Sequence, residues 1–133
     1  MREPDFMTIR PLILLVDDDV TLLQIISGHL HLEGFETVLA QTAAQAIESL
    51  QALTLDLVIV DLFMPDRDGM ETIGEIRARW PQLPIVAMSG GWRTISPDTI
   101  LETAKALGAQ EALAKPFDRQ TLVAAIRRLL PQG

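Results

Sequence analysis

The 133-residue chain has no cysteine and no tyrosine, and aromatic side chains make up only 5% of it. Without thiols there is no disulfide, no thiolate metal site and no cysteine nucleophile, which fits a reducing, cytoplasmic setting. Basic residues are scarce too: 11 Lys and Arg stand against 18 Asp and Glu, giving a formal net charge of −7. Binding to nucleic acid by counterion release needs a basic patch, so neither nucleic acid nor an anionic membrane is an expected partner. Long hydrophobic runs are missing as well. Runs such as those at 12–16 and 57–60 fall far below the roughly 20 residues that span a bilayer. Residues 1–10 contain Glu3, Pro4 and Asp5 where a signal peptide would need an apolar centre.

What is present is a chain the size of one domain with 48% hydrophobic residues and 22% charged, a balance that favours a packed core over disorder. The apolar pattern switches repeatedly between short continuous runs and helical stripes. Strands are expected at 12–16, 35–40, 57–60, 84–88 and 111–114. Between them lie stripes led by Leu23, Ile26 and Leu30, then Ala46, Ile47, Leu50 and Leu53, then Met70, Ile73, Ile76 and Trp80, then Ile100, Ala104 and Leu107, and last Leu122, Ile126 and Leu129. Punctuation agrees with this division. Asp19, Thr42, Asp68, Ser96 and Asp118 stand as N-caps, Gln45 completes a capping box with Thr42, and Gly34 and Gly108 follow helix ends. Five strands alternating with five helices predict an α/β domain whose mainly parallel sheet lies between helical layers.

Ligands of such sheets bind beyond the carboxyl ends of the strands, near the point where strand order reverses. At those ends stand Asp17 and Asp18 after the first strand, Asp61 after the third, Ser89 after the fourth and Lys115 after the fifth. Each alone also fits a helix cap or a solvated turn, but together they form a specific pattern. Carboxylates gathered at one edge repel one another unless a cation sits among them, and Mg²⁺ suits an open, oxygen-only set. Zinc is a poorer fit, because His29 and His31 stand two apart on a helix and face different ways. With a lysine to meet a phosphate and a hydroxyl to donate to it, the set describes phosphoryl transfer to a carboxylate.

The motifs ILLVDDD at 13–19, VIVDLFMPDRDGME at 58–71, VAMSGG at 86–91 and LGAQEALAKPF at 107–117 resemble the receiver domain of two-component response regulators over nearly the whole chain. The resemblance implies a doubly wound, flavodoxin-like (βα)5 three-layer sandwich with parallel strand order 2-1-3-4-5, helices 1 and 5 on one face and 2, 3 and 4 on the other. It implies Asp61 as phosphoacceptor, Asp17, Asp18, Asp61 and the Phe63 backbone carbonyl as Mg²⁺ ligands, Ser89 as switch hydroxyl, Lys115 as phosphate-binding lysine, and a cis Lys115-Pro116 bond. The implied donor is a sensor histidine kinase or histidine phosphotransferase, docking through helix 1, where Val20, Leu22 and Ile25 flank the core stripe. The implied output is a downstream protein effector or a homodimer through helix 4, strand 5 and helix 5. In such a dimer Arg119, Arg127 and Arg128 could meet Glu102 or Glu111. One position departs from the family. Ala112 stands where an aromatic on the fifth strand usually turns inward, so switching is expected to run through the 90–95 segment, with Trp92, and through the fourth helix.

The expected organisation is an N-terminal extension over 1–10 and a single receiver domain over 11–131, with no output domain in the chain. By this reading it is not an enzyme beyond its own phosphorylation and dephosphorylation. Two other readings are weighed. A Mg²⁺-dependent phosphatase with an aspartyl nucleophile would carry Asp-x-Asp after the first strand, where this chain has adjacent acids. A flavin or nucleotide domain would carry a Gly- or Ser/Thr-rich phosphate loop there. The receiver could also be excised from a larger regulator or hybrid kinase.

Overall fold

The computed structural model describes residues 10–62, 69–90 and 96–131. Elements follow the chain as β1 (Leu12–Val16), α1 (Val20–Leu32), β2 (Glu36–Ala40), α2 (Ala43–Ala52), β3 (Leu57–Asp61), α3 (Gly69–Arg79), β4 (Ile85–Gly90), α4 (Pro97–Leu107), β5 (Glu111–Lys115) and α5 (Arg119–Leu129). All strand pairs are parallel, in the expected order β2-β1-β3-β4-β5.

Alternation along the strands sends side chains to two cores. On one face Ile13, Leu15, Leu57, Ile59, Val86 and Met88 meet Leu23, Ile26 and Leu30 of α1 and Leu122 and Ile126 of α5. On the other, Leu14, Val16, Val58, Val60, Ile85 and Ala87 meet Ala46 and Leu50 of α2, Ile73 and Ile76 of α3 and Ala104 of α4. Because both faces are covered, β1 and β3 read as continuous apolar runs. Asp19, Thr42, Ser96 and Asp118 each accept a backbone N–H from the first turn of their helix. Gln45 reaches back to the amide of Gln41, one residue before the cap. Asp68, expected to cap α3, lies outside the described residues.

Several boundaries differ from expectation. β4 runs two residues past Met88, because Ser89 pairs with Ala114 and Gly90 with Lys115. The continuing ladder overrides the turn preference of Ser-Gly, and Lys115 is likewise the last residue of β5. Leu53 falls outside α2 and is 46% exposed. There the backbone turns extended so that Asp56 N–H can reach the Leu12 carbonyl and bring β3 beside β1. The arginines of α5 pair within the chain. Arg119 and Arg127 both reach Glu33 at the end of α1, and Arg128 holds Glu111 at 2.7 Å. The α1–α5 packing brings Arg119 and Arg127 to Glu33, and Arg128 meets Glu111 of β5, so within one molecule these arginines already have acidic partners.

Candidate functional site

Strand order 2-1-3 sets the ends of β1 and β3 side by side, with Val16 opposite Val60. Asp17 and Asp61 follow at this edge and are 1% and 4% exposed, whereas Asp18 is open to solvent. Carboxylate oxygens of Asp17, Asp18 and Asp61 all lie within 4.8 Å of one another. Among the described residues this is the one group of three or more metal-ligating side chains, and neither His29 nor His31 belongs to it. β5 brings the opposing charge: Lys115 Nζ lies 2.6 Å from Asp17 Oδ2 and 3.6 Å from Asp61 Oδ2. Asp17 is fixed further by its other oxygen, which accepts the Asp19 amide at 3.0 Å. Its own amide donates to Ala40 of β2.

Three carboxylates against one ammonium leave two negative charges, the charge of one divalent cation. Two donors are nearly buried and one is exposed, so the set is preorganised on one side and open on the other. An oxygen-only group of this kind fits Mg²⁺, which takes one or two carboxylates and keeps waters for the remaining positions. It does not fit the nitrogen and sulfur preference of zinc.

Ser89 is 2% exposed near the end of β4, one residue past Met88, the β4 partner of Asp61. Among the described residues, the sequence pattern singled out the titratable groups that meet at this edge, Asp17, Asp18, Asp61 and Lys115. Phe63, expected to lend its carbonyl, lies outside the described residues, as do Gly91 and Trp92. The Lys115-Pro116 bond is cis, as the resemblance implied.

Two glycines contribute in ways that their residue type alone does not reveal. Gly69, read in the sequence as part of a tight loop, donates its amide to Leu62 at 3.1 Å and starts α3 against the end of β3. A Cβ there would collide with the Asp61 carbonyl oxygen and the Leu62 backbone. Gly90, read as part of a deformable loop, is paired in β4. A Cβ on it would lie 3.1 Å from Lys115 Cδ, so its bare backbone leaves the path along which the lysine stem reaches Asp17.

Next to this edge is a cavity of about 190 Å³ between α1 and the start of α5, lined mainly by Leu22, Ile25, His29, Pro116, Phe117 and Leu122. Ile25 is 50% exposed and Val20 38%, so of the three residues flanking the α1 stripe only Leu22 joins the core. Ala112, half-buried and paired with Ala87, stands on the α2–α4 face.

The model of the response regulator receiver domain matches residues 13–127. The chain belongs to that family. The receiver is 38% identical to the transcriptional regulatory protein CpxR homolog of Haemophilus influenzae, over 89% of this chain and 49% of that protein. It is 35% identical to the transcriptional regulatory protein GlrR of Escherichia coli, over 91% of this chain and 26% of that one. The receiver thus spans about half, or about a quarter, of these curated relatives. Among solved structures, chemotaxis response regulator CheY4 of Vibrio cholerae is 29% identical with a TM-score of 0.81, covering 92% of this chain and all of that one. The receiver domain of NtrX from Brucella abortus is 30% identical with a TM-score of 0.80, covering 91% of this chain and 99% of that one. The receiver is a signalling domain, and no described helix is long and apolar enough to cross a membrane.

Proposed function

We propose that Asp61 accepts a phosphoryl group from the phosphohistidine of a sensor histidine kinase or histidine phosphotransferase. The observation that carries this reading is the convergence of Asp17, Asp18 and Asp61 within 4.8 Å with the Lys115 ammonium against two of them. A carboxylate oxygen of Asp61 attacks phosphorus. The new O–P bond forms as the N–P bond breaks, and the electron pair leaves with the donor's imidazole nitrogen. Lys115 turns its charge from the carboxylates to a phosphoryl oxygen, and Ser89 donates its hydroxyl to another. Asp17, Asp18 and Asp61, with the Phe63 carbonyl, are the ligands we assign to Mg²⁺, which when bound supplies positive charge against the charge developing on the phosphoryl oxygens. Charge balance at the site supports this assignment.

The apolar groove between α1 and α5 opens beside Lys115 and offers the donor a docking surface. Residues 11–131 form the receiver, with 1–10 preceding it. It acts in the cytoplasm and catalyses only its own phosphorylation and dephosphorylation. Its output is a contact with an effector protein or a second copy through α4, β5 and α5. The names of the relatives add a transcriptional output to the possibilities for a longer protein.

Incubation with Mg²⁺ and acetyl phosphate, followed by intact mass measurement, tests the central step. The expected result is one phosphoryl adduct on the wild type and none on Asp61→Asn. Equal behaviour of the two would overturn the assignment.

A further inference from the structure

At the edge of the sheet opposite the carboxylates, two exposed polar residues each stand immediately before a strand and hold the first residue of its neighbour twice. Asp56, before β3, donates its amide to the Leu12 carbonyl at 2.8 Å and accepts the Leu12 amide on Oδ2 at 2.7 Å. Gln110, before β5, treats Ile85 of β4 in the same way. Its amide donates to the Ile85 carbonyl at 2.9 Å, and its Oε1 accepts the Ile85 amide at 2.8 Å.

In a continuing parallel ladder the Ile85 amide would pass to a carbonyl two positions before Gln110. That carbonyl belongs to Gly108, which ends α4 at a left-handed φ of +116° and accepts Nε and Nη2 of Arg77 instead. The side-chain oxygen of Gln110 takes its place, and Arg77 Nη2 braces that oxygen at 3.2 Å. Ile85 is fully buried, so loss of this acceptor would leave its amide away from water.

Both clamps lie on the pairings that build the site. Leu12 and Asp56 form the rung below Ile13 and Leu57, in the pair that ends with Val16 beside Val60, just before Asp17 and Asp61. Ile85 and Gln110 form the rung below Val86 and Glu111, in the pair that ends with Gly90 beside Lys115. A five-residue strand, about 17 Å, separates each clamp from the site.

We propose that Asp56 and Gln110 are positioning residues of the phosphoryl site, Asp56 aligning the acids of β1 and β3 and Gln110 aligning Lys115. The apolar pattern forbids a slip by one residue, which would turn every side chain to the wrong face. The clamps set the finer alignment within that register, by closing the strand ends that would otherwise fray.

The test pairs a spectroscopic arm with a kinetic arm, and only the second rests on Asp61 as phosphoryl acceptor. In NMR spectra, Asp56→Ala should move the amide resonances of Asp17 and Asp61 and leave those of Gly90 and Lys115, and Gln110→Ala should do the reverse. In the kinetic arm, Asp56→Ala should weaken Mg²⁺ binding about fivefold, the worth of one ordinary hydrogen bond. Gln110→Ala should slow phosphorylation by acetyl phosphate at saturating Mg²⁺ by a similar factor. Asp56→Asn and Gln110→Glu, which keep the acceptor oxygen, should restore wild-type behaviour in both arms. Alanine variants that lower the urea midpoint but leave the site resonances in place would overturn the proposal, as would Asn and Glu variants no better than Ala. A wild type that takes no phosphoryl group would refute the proposed function instead, and the resonances would then decide the alignment by themselves.

Discussion

At the scale of single residues, the site is built from groups that carry charge and from groups notable for what they lack. Asp17, Asp18, Asp61, Ser89 and Lys115 were legible because each is a polar side chain at or just past the carboxyl end of an apolar strand, and chemistry follows residue type. Gly69 and Arg77 were not legible in the same way. Gly69 donates to the Leu62 carbonyl and Arg77 to those of Gly108, Trp80 and Pro81, and a backbone carbonyl has no residue identity for a sequence pattern to register. Arg77 reads instead as one more solvated charge in the last turn of α3, beside Arg79. The collision expected at Gly69 gives a direct prediction. Gly69→Ala must push α3 off the end of β3, which should lower stability by about 1–3 kcal/mol in urea unfolding. Phosphorylation by acetyl phosphate should fall with it, because Asp61 sits on the displaced edge. An unchanged urea midpoint would refute this.

At the scale of elements, existence and type followed from periodicity, and four of the five caps lie within the described residues and act as read. Boundaries failed where tertiary pairing decided them. The Ser89-Gly90 end of β4 looks like a turn by composition but is held in the sheet by Ala114 and Lys115. The same pairing puts Ser89 inside a strand, not on a loop, so the hydroxyl assigned to switching starts from a fixed backbone. Caps allow a test of helix energetics by pH. The Thr121 amide holds the Asp118 carboxyl below its ordinary value of 3.8, because the bond favours the ionised form. A group whose pKa is lower in the folded state contributes its full stabilisation above the ordinary value and loses it as pH falls through the folded one. Urea midpoints of the wild type should therefore decline more steeply below about pH 4 than those of Asp118→Asn, whose amide caps without titrating. Parallel declines would show that this cap carries no pH dependence.

At the scale of the whole molecule, part of the net charge of −7 is concentrated at one edge. Binding of a divalent cation there should stabilise the folded chain by mass action, about 2.7 kcal/mol at a hundredfold excess over Kd. Thermal unfolding should shift upward with Mg²⁺, return to its starting point with a chelator, and shift much less in Asp18→Asn. A midpoint indifferent to Mg²⁺ in the wild type would count against the assigned ligands. The Lys115–Asp17 bond spans 98 positions of sequence, from the end of the first strand to the end of the last. Such a contact is among the costliest to close in chain entropy, and it cannot exist until β5 has joined the sheet. The acids arrive with β1 and β3, but their counter-charge arrives only with the final strand. A nascent or clipped chain lacking that strand would present an unneutralised acidic edge with no lysine to receive a phosphoryl oxygen. Under the proposed function, acceptance of a phosphoryl group at Asp61 therefore waits on completion of the fold, because the counter-charge of the acidic edge comes with the last strand.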